Sequence, residues 1–218
     1  GGIDLQRQER TLPAGHAVAF LTLRILDQQT TLGPFHEDDE DDHGHGQGGE
    51  ARAYLERRGL RDETQRAFRL GYAPNDRYAL RDHLAGQGVE KALMVELGLL
   101  AAGEGVSVPY DYFRDRVMFP IRDLRGRTIA FGGRVMGDEQ PKYLNSPETP
   151  VFHKGRELYG LYEARQATSK LEQLVMVEGY MDVVALAQYG IHNAVATLGT
   201  ATTEDHLMRL FRLVSRVV

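Results

Sequence analysis

Four consecutive apolar residues, Leu174 to Val177, are followed by Glu178-Gly179 and then by helically spaced apolar positions from Asp182 to Tyr189, which Gly190 stops. The uninterrupted run predicts a strand covered on both faces, as in a parallel sheet. Residues 193–198 predict the next strand. A right-handed strand, helix, strand unit then leaves Glu178 at the carboxyl edge of a parallel sheet, the usual ligand crevice of open α/β folds. Downstream, Thr202-Thr203-Glu204-Asp205 reads as a capping box opening a helix to Leu213, and residues 214–218 read as a third strand.

Upstream, the apolar spacing predicts helices at 50–58 ended by Gly59, at 62–70 ended by Gly71, at 76–84, and at 89–97 ended by Gly98. Asp62 is the expected N-cap, with Gln65 three residues on. Residues 116–121 and 128–135 are short apolar runs around Asp123-Leu124-Arg125-Gly126 and predict a hairpin. Gly132-Gly133 inside its second strand predicts a bulge, or the close approach of another backbone or a ligand. Residues 17–26 are apolar enough for a short strand or helix.

The run from Glu37 to Gly49 is acidic and then Gly/His-rich, which predicts a disordered linker. Its His36, His43 and His45 could hold a soft divalent metal, but without fixed geometry a solvated tail is the better reading. This run also changes the meaning of the charge. The chain has 218 residues and a formal net charge of −5, yet residues 1–49 hold 9 acids and 3 arginines, while residues 50–218 hold 22 acids and 23 cations. Between Arg114 and Arg156 there are nine cations and five acids, a local field that attracts phosphate. There is no Cys, which excludes disulfides and thiolate metal sites and suits a reducing compartment. No apolar run reaches membrane-span length, and Gly1-Gly2-Ile3-Asp4 lacks a signal-peptide pattern. The expectation is a cytoplasmic protein with no membrane partner.

Carboxylates at strand ends hold hard cations such as Mg²⁺, and one is rarely enough. Asp182, four residues past Glu178, could approach the same ion, or it could simply complement the positive end of the helix. The basic set is Arg114, Arg116, Arg134, Lys142, Lys154 and Arg156. Arg114 and Arg116 share a face if a strand starts there. Pro141-Lys142-Tyr143-Leu144-Asn145-Ser146-Pro147 offers a cation for phosphate and a ring on which a base could stack, or it is an ordinary solvated loop with Tyr143 half-buried. Gly132-Gly133-Arg134 and Leu198-Gly199-Thr200 could each bring backbone N–H groups to a phosphate. Neither a P-loop nor a dinucleotide fingerprint is present.

Taken together and in this order, Tyr110-Asp111-Tyr112-Phe113-Arg114-Asp115-Arg116-Val117-Met118-Phe119-Pro120, Phe131-Gly132-Gly133-Arg134, Pro141-Lys142-Tyr143-Leu144-Asn145-Ser146-Pro147 and Val177-Glu178-Gly179-Tyr180-Met181-Asp182 resemble the RNA polymerase domain of bacterial replicative DNA primase. The likeness runs from about Ala51 to Val218. It implies an α/β chain in three parts. An atypical acidic segment, 1–49, precedes a mixed α+β subdomain, 50–170, and a truncated Toprim subdomain, 171–218, Rossmann-like with a mainly parallel sheet. It also implies template-directed synthesis of short RNA primers on single-stranded DNA from ribonucleoside triphosphates. Mg²⁺ is the implied ion, with Mn²⁺ as an alternative, and no zinc is expected.

The resemblance makes Glu178 and Asp182 the catalytic and metal-site acids. It makes Arg114, Arg116, Arg134, Lys142, Tyr143, Asn145 and Lys154 the contacts to template and nucleotide. A replicative helicase is the partner implied for the complete protein, through a docking domain not found in these residues. The family's Asp-x-Asp pair is expected beyond Val218, so these 218 residues alone are expected to make little or no primer. One rival reading is a non-catalytic nucleic-acid or nucleotide-binding module. Another is a different Toprim enzyme, a topoisomerase or nuclease, which would need a catalytic Tyr or further acidic motifs.

Overall fold

The computed structural model describes residues 45–168, 170–199 and 201–218. The expectations for residues 17–26, for His36 and His43, and for the linker up to residue 44 lie outside the described residues. From His45 onward the linker expectation gives way to helix α1 (His45–Arg57), which starts five residues earlier than the spacing predicts. It ends as predicted, at Gly59 in the left-handed region (φ 79°), with the Leu60 N–H donating to the Leu55 carbonyl at 3.0 Å.

The helix after it, α2 (Asp62–Ala67), is shorter than predicted. Arg69 turns left-handed (φ 53°), and the Leu70 N–H closes back onto the Gln65 carbonyl at 2.9 Å. Gly71 therefore opens strand β1 (Gly71–Ala73) instead of capping a helix. Asp62 is not the N-cap either. Arg61 holds that place, and Asp62 sits in the first turn paired with Arg66 at 2.5 Å.

Two more short helices, α3 (Ala79–Gly86) and α4 (Lys91–Glu96), lead to strands β2 (Leu100–Ala101) and β3 (Tyr110–Asp111). Asp76, expected inside α3, precedes it and accepts the N–H groups of Tyr78 and Ala79 at 2.6 and 3.0 Å. The first turn of α3 is capped instead from the far side of the subdomain. The Asp111 carboxylate accepts from the N–H groups of Leu80 and Arg81 at 2.7 and 3.0 Å. Burial holds the Asp111 carboxyl above the usual carboxylate range, against the pull of those two bonds.

The predicted hairpin is β4 (Arg116–Arg122) with β5 (Thr128–Arg134), which pair antiparallel. Asp123 organises the turn, accepting from the N–H groups of Arg125 and Arg127 at 2.9 Å each. With β1 and β6 (Tyr143–Asn145) they form a four-stranded sheet in the order β1-β4-β5-β6. Every residue of β4 and β5 is buried, because the alternating side chains feed two cores. Val117, Phe119 and Ile121 join the core shared with α1 and the C-terminal part, while Met118 and Phe131 join the core under α3 and α4.

The glycine pair behaves differently from expectation. The register irregularity lies at Ile121/Arg122, away from the glycines. Among protein atoms, what approaches Gly132 and Gly133 is side chain and not another backbone. A Cβ on Gly132 would stand 2.6 Å from the Tyr180 ring, and one on Gly133 would stand 2.9 Å from Phe113.

After α5 (Leu161–Ala167) come β7 (Gln173–Val177), α6 (Tyr180–Gln188), β8 (Ala194–Ala196), α7 (Glu204–Phe211) and β9 (Arg216–Val217). Strands β8-β7-β9 make a parallel sheet with β7 central, the arrangement predicted for the Glu178 unit. Only Leu174 of β7 is fully buried, so the apolar run is less covered than expected. The capping box of α7 is one residue later than predicted: Thr203 is the cap, and its Oγ1 accepts from the His206 N–H at 3.1 Å. Tyr159, ahead of α5, links the parallel sheet to the antiparallel one: its N–H and carbonyl bond with Ala196 of β8 at 2.9 and 3.0 Å, and its ring meets Phe119 of β4 edge-on at 6.2 Å. No described helix is long and apolar enough to cross a membrane.

The Gly132 seat gives a test of this packing. Gly132→Ala is expected to destabilise the fold by about 1–3 kcal/mol through overpacking. Gly86→Ala, at the end of α3 with nothing within 4 Å of the new Cβ, is expected to stabilise it by roughly 0.4–1 kcal/mol. Urea denaturation of the two variants against the parent checks both signs.

Candidate functional site

Strand β7 stops at Val177 and the next residue, Glu178, is exposed, with no hydrogen bond or ion pair to another described residue. Gly179 stays extended as the cap of α6, which places Asp182 third in the helix. There its Oδ2 accepts from the Gly179 N–H at 3.0 Å. The helix-end role of Asp182 is thus made in the structure, and one carboxylate oxygen remains toward solvent beside Glu178. Among the described residues no group of three His, Cys, Asp or Glu stands close enough to hold a metal. The fit to a hard cation therefore rests on two carboxylates, with its remaining coordination left to water or a bound phosphate.

Between these acids lies Tyr180, the first residue of α6, and its ring sets where they stand. It stacks on Phe119 at 5.4 Å between centroids, meets Tyr159 edge-on at 4.8 Å, and covers Gly132. Its hydroxyl donates to Asn145 Oδ1. Burial pushes the Tyr180 phenol well above its ordinary value, so it stays a donor at any working pH. The Asn145 Nδ2 in turn donates to the Leu198 carbonyl at 2.7 Å. Asn145 therefore ties β6 to both the start of α6 and the turn after β8. Both ends of its carboxamide are engaged within the chain, and so is the Leu198 carbonyl of the expected phosphate turn.

The basic residues do not form one row. Asp115 is left-handed (φ 50°) and holds the Tyr72 hydroxyl at 2.7 Å, so the chain bends between Arg114 and Arg116. Strand β4 begins only at Arg116, and the alternation that would place both arginines on one face fails. Arg114 folds back to the Asp111 carbonyl at 2.9 Å, over the Tyr110 ring at 4.8 Å. Arg116 is buried and donates to the Pro141 carbonyl at 2.9 Å, securing the start of the Lys142-Tyr143 segment. Burial pushes its guanidinium pKa below the ordinary value, partly countered by Asp115.

Arg134 is 3% exposed and lies between the rings of Tyr54 and Tyr143, at 5.2 and 5.4 Å from their centroids. Its Nε and Nη1 have no hydrogen-bond partner among the described residues. Tyr143 pairs with Arg134 in register and touches the edge of Tyr180 at 6.0 Å. Lys142 next to it is exposed; its carbonyl accepts from the Val135 N–H at 3.2 Å, while its ammonium has no hydrogen bond or ion pair among the described residues. Lys154 stands on a separate loop, with its N–H on the Glu148 carboxylate at 2.9 Å.

The structure thus gathers Tyr143 and Asn145 at Tyr180, two residues from Glu178, with Arg134 against the Tyr143 ring and Arg116 holding Pro141, next to Lys142. Arg114 and Lys154 lie outside that group. Sequence reasoning missed Tyr54 and Tyr180. For Tyr180 a signal existed, a large aromatic at the first helical position directly after the Glu-Gly turn; for Tyr54, on a helix far upstream of its cation partner Arg134, there was none.

Residues 40–165 match the family model described as DNA primase catalytic core, N-terminal domain, and residues 172–218 match the Toprim domain. The DNA primase of Pseudomonas aeruginosa is 62% identical over 165 residues, which cover 76% of this chain and 25% of that protein. The DNA primase of Escherichia coli K12 is 54% identical over 169 residues, covering 77% of this chain and 29% of that protein. The chain thus spans between a quarter and a third of the length of these relatives. Among solved structures, a DnaG primase catalytic domain bound to ssDNA superimposes with a TM-score of 0.81 at 45% identity, over 93% of this chain and 60% of that one. A DNA primase domain from Pseudomonas aeruginosa gives 0.74 at 51% identity, over 94% and 59%. By these matches the chain belongs to the DNA primase catalytic core family, its N-terminal domain followed by residues of a Toprim domain.

Proposed function

We propose that this chain supplies the template-binding and nucleotide-binding face, and one edge of the catalytic site, of a cytoplasmic primase that makes short RNA primers on single-stranded DNA from ribonucleoside triphosphates. The observation that supports this is the seating of Tyr180, two residues after Glu178, whose ring meets Tyr143 and whose hydroxyl donates to Asn145. Support for the DNA partner comes from the similar catalytic domain described as bound to ssDNA. The division into 1–49, 50–170 and 171–218 belongs to the same reading; the two family matches, which end and begin at 165 and 172, support its second boundary, while the first match begins at residue 40 and crosses the first. The replicative helicase remains the expected partner of a complete protein.

In this reading Lys142 meets phosphate as a point charge, because it is exposed and carries no competing acid. The exposed face of Tyr143 offers stacking to a base, while its other face is held by Arg134 and its edge by Tyr180. Asn145 positions, since its carboxamide is fully engaged in the chain. Arg116 holds the Lys142-Tyr143 segment in place through the Pro141 carbonyl. Arg114 and Lys154 meet the nucleic acid or triphosphate further out.

Glu178 and the free oxygen of Asp182 would hold Mg²⁺, with Mn²⁺ as the alternative; zinc has no thiolate to bind in a chain with no Cys. A bound cation lowers the pKa of a hydroxyl and neutralises triphosphate charge. Two carboxylates hold two such ions poorly, so the 218-residue chain by itself is expected to make little or no primer.

Fluorescence anisotropy with a labelled DNA single strand tests the binding half of this reading. Affinity is expected to fall steeply with salt, and Lys142→Ala should lower the slope of log K against log salt by about 0.7. Tyr143→Ala should cost about 1–3 kcal/mol of binding. Salt-independent binding, or none, would refute the proposal.

The catalytic half is tested in a chimera in which this chain replaces the matching segment of the Pseudomonas aeruginosa relative. The chimera should make primers, and Glu178→Gln should abolish synthesis while leaving strand affinity within about twofold, the signature of a group needed in the transition state and not for binding. Undiminished synthesis by Glu178→Gln would overturn the metal assignment. Strand binding without synthesis in the parent chimera would favour the binding-module alternative.

A further inference from the structure

The loop that carries Lys154 lies outside the strands, yet its carbonyls from Lys154 to Glu157 are all engaged. Four consecutive carbonyls accept hydrogen bonds from side chains of α7 and its cap. His206 Nε2 reaches the Lys154 carbonyl at 3.0 Å and the Glu157 carbonyl at 3.2 Å. Thr203 Oγ1 donates to the Gly155 carbonyl at 2.7 Å, and Arg209 Nη1 donates to the Arg156 carbonyl at 3.1 Å. Arg209 also bonds the Glu157 carboxylate at 2.7 Å, and Arg156 pairs with Asp205 at 3.1 Å. On the other side, the Lys154 N–H rests on Glu148. Carbonyls in an irregular loop have no ladder donors, and here α7 and its cap supply donors to four of them.

His206 is the centre of this arrangement and is fully buried. Its Nδ1 accepts from the Thr203 N–H at 3.2 Å, which fixes the neutral tautomer with the proton on Nε2. That proton is the one aimed at the carbonyls of Lys154 and Glu157. The imidazole therefore couples the cap of α7 to the peptide plane that sets the direction of the Lys154 side chain.

We infer that His206 is a positioning residue, acting through Lys154 on the phosphate groups of the bound strand or nucleotide. The inference rests on the proposed function above, because it needs Lys154 to touch phosphate. A group that acts only through another loses its effect when that other is removed, so the two substitutions should be non-additive.

Asn at position 206 keeps an acceptor for the Thr203 N–H and loses the Nε2 donor. Gln places an amide N–H near that donor's position. With labelled single-stranded DNA and the 218-residue chain, Lys154→Ala and His206→Asn are each expected to weaken binding by about three- to tenfold. The double variant should be no weaker than Lys154→Ala alone, and His206→Gln should recover affinity to within about twofold. Losses that multiply in the double variant, or a Gln variant as weak as the Asn variant, would overturn the inference.

If Lys154→Ala has no effect while Lys142→Ala weakens binding, the inference fails and the proposed function stands. If neither lysine matters, both fail. Should His206→Asn not fold, as judged by circular dichroism, Arg209→Gln takes its place. That variant releases the Arg156 carbonyl from a half-exposed position, and its loss of affinity must likewise vanish in the Lys154→Ala background.

Discussion

The seat of the Tyr180 ring on Gly132 is the contact on which the rest of the site depends. An aromatic side chain buries about 150–250 Å², and this one does so at the junction of the antiparallel and parallel sheets. A glycine inside a strand ordinarily weakens it by about 0.5–1 kcal/mol. Here the missing Cβ is what lets the ring lie flat against the backbone, so packing offsets the propensity loss. Because Tyr180 begins α6, seating its ring also fixes the turn that holds Glu178 and the helix end that holds Asp182. The Asn145 carboxamide then joins the Tyr180 hydroxyl and the Leu198 carbonyl, so three segments far apart in sequence share one hydrogen-bonded knot.

Much of this fold was legible in the sequence, and what was not has a common cause. The hairpin and the parallel unit around Glu178 were readable because two-residue and helical periodicities are local. Helix ends at Gly59 and Gly98 were readable because a left-handed cap favours glycine. Asp111 capping α3 was not readable, since the acceptor and the donors it serves are thirty residues apart and meet only in the tertiary fold. Nor was the left-handed turn at Asp115, a non-glycine held by a hydroxyl from Tyr72 on a neighbouring strand. The candidate site shows the same division. Resemblance picked out Asn145 and Arg116 as polar residues of the site, but only the structure shows that both are engaged inward, on Tyr180 and Leu198 and on Pro141.

Three buried arginines show three ways of keeping a cation out of water. Arg122 meets Glu163 at 2.7 Å with both side chains largely buried, a pair in which loss of one partner costs about 3–5 kcal/mol. Arg116 leans on a peptide carbonyl and has Asp115 beside it. Among the described residues Arg134 has the faces of two tyrosines, an attraction of about 0.5–2 kcal/mol for each ring, and no hydrogen-bond partner for Nε or Nη1. The first arrangement is closed and structural. The last leaves the charge least compensated, and it is the one that adjoins the exposed Tyr143 and Lys142, where an anion can supply what the protein does not.

The two neighbouring glycines of β5 also have a mechanical meaning. Tyr180 presses on Gly132 from one core and Phe113 presses on Gly133 from the other, so at this point a single peptide separates the two interiors. Elsewhere along the hairpin a side chain would cushion one core from the other. The helices packed over Phe113 and the tyrosine that anchors the acidic turn therefore bear on adjacent residues of one strand, with no side chain of β5 between either ring and the backbone.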